Sequence, residues 1–99
     1  MAIRFNFNED KYCKELMEYI ISTYEGYYNA GGAQPIDIIM AKKHGLGFCM
    51  ANTLKYAGRY GEKDGHNRKD LIKLLHYGIL ALYAHDKQIE GLHQDTDTE

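Results

Sequence analysis

Apolar residues recur along this chain three and four positions apart, in four blocks, and the alternation that marks a strand is absent. In the first block Cys13, Leu16, Met17, Ile20, Ile21 and Tyr24 form one stripe of an amphipathic helix, with Glu15 and Glu18 on the other side. Asn8 is the expected N-cap, Glu9 and Asp10 supply an acidic first turn, and the helix is expected to end near Tyr24 to Gly26. Residues 26–34 read as a loop broken by Gly31-Gly32. Pro35 then opens a short helix, Ile36, Ile39 and Met40 give it an apolar face, Lys42, Lys43 and His44 load its last turn, and Gly45 is its expected stop. The third helix is predicted from Gly47 to Tyr60, with Phe48, Ala51, Leu54, Ala57 and Gly58 as its apolar and small positions. Asn67 caps the fourth, with Asp70 three residues on in a near capping box, and the helix is expected from Arg68 to Ile89. Its apolar residues Leu71, Ile72, Leu74, Leu75, Ile79, Leu80 and Leu82 cover more than one face, so it should be central or face a second subunit. The fold predicted is all-α: about four helices, the last two an antiparallel hairpin across the turn at 61–66. They form a single helical domain over residues 1–90, followed by an acidic tail at 91–99 expected to be disordered.

Length sharpens the expectation of self-association. A chain of 99 residues buries only about 60–65% of its unfolded surface, so a lone monomer would be marginal and a homo-oligomer is expected. The two cysteines, Cys13 and Cys49, have no metal-like spacing and read as free thiols of a reducing cytosol. Residues 1–8 hold no apolar run, so no secretory leader is expected. No stretch approaches the roughly 20 apolar residues that span a bilayer. A cytoplasmic protein with no membrane partner is the expectation.

Charge is unevenly spread. Between Lys42 and Lys73 lie eight basic residues and only three acids, Glu62, Asp64 and Asp70, a local +5 in a chain whose net charge is −2. A nucleic-acid binder is usually basic overall, so a basic centre in an acidic chain suits a small anion better than a long polyanion. Within that segment Asn52, Lys55, Tyr56, Arg59 and Lys63 stand at helical spacing on one stripe of the third helix. Two long cations, an amide and a ring could grip phosphate and stack a base. Across the turn the hairpin brings Arg59 toward Asp70, Lys55 toward Lys73, and Asn52 toward His76 and Tyr77. Asp70 could then hold Arg59 in place and leave Lys55 and Lys73 for an anion. On chemistry alone the plainer arrangement, a surface helix pair laced by one salt bridge, outweighs a ligand site. Nine tyrosines with three phenylalanines and no tryptophan are mostly expected to fill half-buried seams.

The same positions carry a family resemblance. Pro35 and Asp37, then Asn52, Lys55, Tyr56, Arg59, Gly61 and Lys63, then Asp70, Leu71, Lys73 and Tyr77 stand in an order and spacing that resembles the SaV-like family of small tailed-phage proteins, over roughly residues 34–83. That family includes a phage nucleotide kinase without a P-loop, so the resemblance implies nucleotide handling in the cytoplasm of an infected bacterium. This chain is much shorter than that kinase, and the expected role is binding rather than phosphoryl transfer. The expected ligand is a nucleotide or cyclic nucleotide, held on Asn52, Lys55, Tyr56, Arg59, Lys63, Asp70, Lys73 and Tyr77, in the manner of a sponge that sequesters a nucleotide signal of host defence. A P-loop-less nucleoside monophosphate kinase and a non-enzymatic inhibitor of a host protein are the alternatives.

Other chemistry finds little footing. There is no Gly-x-x-x-x-Gly-Lys-[Ser/Thr] phosphate loop. The five histidines show no His-x-x-x-His spacing, so no zinc is expected. Glu15-x-x-Glu18 resembles the first half of the metal site of all-helical nucleoside triphosphate pyrophosphohydrolases, but the second half is missing. No cofactor is expected, with Mg²⁺ entering only under the kinase alternative, and no catalytic residue can be assigned. Asn67-Arg-Lys after a glycine turn invites a helix-turn-helix reading, but the turn is too long and the following helix too apolar, so nucleic acid is not the expected partner.

Overall fold

The structure, a computed structural model, describes residues 2–27 and 34–90. Four α-helices follow one another: α1 (Glu9–Tyr27), α2 (Pro35–Ala41), α3 (Gly45–Arg59) and α4 (Arg68–His85), the last running into a π-helical turn, Asp86–Glu90. Among the described residues there is no strand, so the all-helical class holds. Most of the expected loop and the whole acidic tail at 91–99 lie outside the described residues. The chain divides into two compact units, Met1–Gly32 and Ala33–Glu99.

The first unit is built on α1. Asn8 stands at its start, but at φ 59, in the left-handed region and not the extended backbone of an ordinary N-cap. Its carbonyl accepts the Tyr12 N–H at 2.9 Å, while the Glu9 carboxylate accepts the Phe7 N–H at 3.0 Å and ties the incoming chain to the first turn. Leu16, Tyr19 and Ile20 are half-buried; Met17, Ile21 and Tyr24 are exposed.

The second unit begins as the sequence suggests. Pro35 occupies the first helical position of α2, and the Gln34 N–H donates to the Asp37 carboxylate at 2.8 Å. The end of α2 differs from expectation. The left-handed stop is Lys43, at φ 64, with the Lys43 N–H donating to the Met40 carbonyl and the His44 N–H to the Ile39 carbonyl, both at 3.0 Å. This is a Schellman motif closed two residues before the predicted Gly45. Gly45 instead opens α3 in the buried interior, where an added Cβ would collide with the Met40 sulfur and reach the Ala84 Cβ at 3.4 Å. It is glycine for close approach and not for termination. Gln88, from the π-helical turn, fastens the same corner: its amide donates to the Lys43 carbonyl at 2.8 Å and accepts the Leu46 N–H at 3.0 Å.

α3 and α4 lie against each other. Arg59 meets Asp70, Tyr56 meets Tyr77, Phe48 also meets Tyr77, and Leu46 meets Gln88 beyond the end of α4. Among the described residues the buried apolar side chains are few: Cys49, Ile72 and Ala84. The seam is therefore finished by larger half-buried groups, Asn52, Thr53, Tyr56, Arg59 and Tyr60. Ala51, Leu54 and Ala57, apolar and small positions of the helix, point outward, Leu54 with 69% of its surface exposed. The amphipathic bodies of tyrosine, arginine and asparagine fill the seam in their place. Between the helices, Gly61 (φ 85) and Gly65 (φ 68) adopt left-handed backbone and close the turn with a 2.9 Å bond from the Gly61 N–H to the Gly65 carbonyl. Asn67 caps α4, accepting the Lys69 N–H at 3.0 Å.

Candidate functional site

Helical spacing carries Lys55 and Tyr56 to the last turns of α3, and Lys73 and Tyr77 to one side of α4. Where the two helices meet, the Lys55 Nζ and the Lys73 Nζ each lie 5.3 Å from the centre of the Tyr56 ring. Tyr77 stacks on Tyr56 at 5.9 Å with the ring planes 13° apart, and His76 stacks on Tyr77 at 6.2 Å. Phe48 closes the edge of this row at 6.0 Å from Tyr77. Both cations lie within the usual cation–π distance of the ring. Among the described residues no carboxylate pairs with either ammonium. Two positive charges thus lie near one tyrosine ring without a fixed counter-charge, which is an electrostatic preference for an anion.

One turn further along, the other cation is already neutralised. The Arg59 Nε lies 3.3 Å from Asp70 Oδ1, and its terminal nitrogen lies 3.5 Å from Asp64 Oδ2. Asp70 is only 2% exposed, while the Arg59 side chain keeps 28% of its surface in water. The alignment is ionic more than hydrogen-bonded, since neither Arg59 Nε nor Asp70 Oδ2 finds a hydrogen-bond partner of good geometry. Asp70 therefore spends its charge on Arg59 and not on the helix start that a capping box would use.

The remaining predicted residues are dispersed. The Asn52 amide donates to the Phe48 carbonyl at 2.9 Å within its own helix. Lys63 is no longer on the α3 stripe: the helix ends at Arg59, and Lys63 stands exposed in the following turn. The structure thus brings Lys55, Tyr56, Lys73 and Tyr77 together, sets Arg59 and Asp70 beside them as a pair, and leaves Asn52 and Lys63 apart. Sequence reasoning missed Asp64 as Arg59's second partner. An arginine five residues before an aspartate across a Gly-bracketed turn was the available signal. It also left His76 without a place in the row of rings. Burial pushes the His76 imidazole below its ordinary value of 6.5.

No three His, Cys, Asp or Glu side chains gather into a possible metal site among the described residues. No helix among them is long and apolar enough to cross a membrane. No curated protein and no solved structure matches the chain. A family does: residues 22–78, which include the row of rings and both lysines, match the proteins of unknown function grouped as DUF3310, and since that match takes in more than half of the chain, the protein belongs to that family.

Proposed function

We propose that this protein binds a small phosphorylated ligand, a nucleotide or cyclic nucleotide, where α3 and α4 meet. Lys55 and Lys73 meet the phosphate, Tyr56 and Tyr77 offer the ring surface for a base, and Asp70 fixes Arg59 at the rim. The observation that carries the reading is the pair of ammonium groups at 5.3 Å from one tyrosine ring with no carboxylate against either. The SaV-like resemblance at the same positions supports a phage-type protein. It works as a homo-oligomer in the host cytoplasm, with α3 and α4 as the arms of an antiparallel hairpin, and it holds a nucleotide signal of host defence without converting it.

A thermal-shift screen against mononucleotides, cyclic dinucleotides and adenosine-ribose derivatives tests this. A ligand at 100 times its dissociation constant adds about 2.7 kcal/mol, a shift of roughly 10–20 °C in a domain of this size. No shift with any phosphorylated ligand refutes the reading. A nucleotide kinase would consume ATP in the presence of Mg²⁺, which phosphate-release and product assays separate from binding. The second reading, an inhibitor that docks on a host protein, is favoured by Met50 and Leu54, exposed on the outer face of α3; it predicts no affinity for phosphorylated ligands.

A further inference from the structure

The Arg59 guanidinium has its charge balanced but its hydrogen-bonding capacity almost unspent. An arginine carries five N–H donors in a planar fork. Among the described residues one of them makes a hydrogen bond, from Nη2 to Asp64 Oδ2 at 3.5 Å, the long limit for such a bond. The Nε–H lies 3.3 Å from Asp70 Oδ1 but has no acceptor in good geometry. Strong arginine–carboxylate pairs place two donors on one carboxylate at about 2.7–2.9 Å; neither acid does so here. The two acids also hold Arg59 differently. The Asp70 side chain is 3% exposed and fixed in the seam, whereas the Asp64 side chain is 61% exposed and stands on the turn between the helices. Asp70 sets the place of the guanidinium, and Asp64 is an exposed contact of the kind that contributes little. Arg59 stands four residues after Lys55 on α3, and Asp70 three before Lys73 on α4, so the fork lies one helical turn from the ammonium pair along the same seam.

We infer that Arg59 is a clamp for a second phosphate, so that the ligand carries two linked phosphates, as in a nucleoside di- or triphosphate, and not one, as in a monophosphate or a cyclic mononucleotide. This clamp presupposes the anion site proposed above and narrows the class of its ligand. One phosphate lies at Lys55 and Lys73, and the next takes the place of Asp64 on the Arg59 fork. The step between the two is one turn of helix, about 5.4 Å. A phosphate joined through a bridging oxygen spans that step with its outer oxygens, and a lone phosphate does not. A phosphate also accepts two donors of the fork at once, which Asp64 does not. The charges agree: of the three cations Lys55, Lys73 and Arg59, Asp70 balances one, and two remain for the ligand once Asp64 gives way. Asp64 is therefore a competitor built into the chain, acting on the second phosphate alone.

Calorimetric titration of the full chain with inorganic phosphate and with pyrophosphate, at one pH and one ionic strength, tests the clamp without presuming a base. Pyrophosphate is expected to bind at least about tenfold more tightly than phosphate. Arg59→Lys keeps a cation beside Asp70 but removes the fork, and should bring pyrophosphate to within about threefold of phosphate. Asp64→Asn should tighten pyrophosphate several-fold and leave phosphate nearly unchanged. Added to Arg59→Lys, the same change should have little effect, which separates the loss of a competitor from a general gain in positive potential. Equal affinity for the two anions overturns the inference and leaves the anion site standing. A preference for pyrophosphate that survives Arg59→Lys, with the variant shown folded by circular dichroism, also overturns it, because ligand charge alone then explains the preference. No binding of either anion at millimolar concentration overturns the clamp and the anion site together. If Arg59→Lys fails to fold, Asp64→Asn decides alone: unchanged pyrophosphate affinity overturns the clamp.

Discussion

Removing either half of the Arg59–Asp70 pair should cost stability unequally, and the arginine should matter more. Arg59→Ala leaves the Asp70 carboxylate, 2% exposed, with neither counter-charge nor water, and its Oδ2 already lacks a hydrogen-bond partner. Breaking a fully buried pair costs about 3–5 kcal/mol. Here the Arg59 side chain retains 28% exposure, so screening lowers the expected loss to about 2–3 kcal/mol. Asp70→Ala leaves Arg59 at 3.5 Å from Asp64 and in contact with solvent. Its cost is the pair's modest attraction plus an acidic group lost from the first turn of α4, about 1 kcal/mol together. Urea unfolding followed by circular dichroism reads the difference directly, with unchanged slopes confirming that only stability moved. In melting temperature Arg59→Ala should fall by roughly 10–20 °C and Asp70→Ala by about 4–8 °C. If Asp70→Ala costs as much as Arg59→Ala or more, the carboxylate is not isolated in the way described. A loss below about 1 kcal/mol for Arg59→Ala would place the pair among ordinary surface bridges.

The other consequences concern the backbone and the titrating groups. Lys43→Gly should stabilise the protein by about 0.5–1 kcal/mol, because the left-handed C-terminal position of α2 carries a side chain that glycine would spare; a destabilised variant in thermal unfolding would contradict the Schellman geometry. His76 binds its proton less readily in the folded chain than in the unfolded one, so stability should decline as pH falls below about 6.5. Replacing His76 with Gln should flatten that decline, and an unchanged pH profile would show that another group controls it. Cys49 is fully buried and its thiol is pushed up by burial, whereas Cys13 is exposed, so alkylation of the native protein should stop at Cys13, read by intact mass. Modification of both thiols without unfolding would contradict the core.

What could be read from the sequence, and what could not, divides along physical lines. Local signals placed the helices: Pro35 at a helix start, Asn67 as a cap and the glycines at 61 and 65 are each required by backbone geometry that few other residues satisfy. Gly45 was misassigned because glycine serves equally at a helix end and at a close helix contact, and only the neighbouring Met40 and Ala84 distinguish the two. The inward face of α3 was not legible, for a related reason. The helix carries two stripes that can be buried, Ala51-Leu54-Ala57 and Cys49-Asn52-Tyr56, and hydrophobicity favours the first. The tertiary seam takes the second, because long amphipathic side chains bury their bodies there and reach the rings and carboxylate of α4. The approach of Arg59 to Asp70 was legible, since a short turn between two helices leaves little freedom in which residues meet. The departure of Lys63 from the stripe was not, because it depends on the helix closing at Arg59.

The central claim is that Lys55 and Lys73 form an anion site and not a decorated surface. Calorimetric titration of the best ligand from the nucleotide screen into wild type, Lys55→Ala and Lys73→Ala measures it most directly. Neither lysine has a carboxylate partner, so both variants should keep the wild-type melting temperature to within a few degrees. Each should bind more weakly by about 1.5–3 kcal/mol, more than tenfold in dissociation constant. Affinity unchanged in both variants would contradict the account and return the two lysines to the solvent-facing surface.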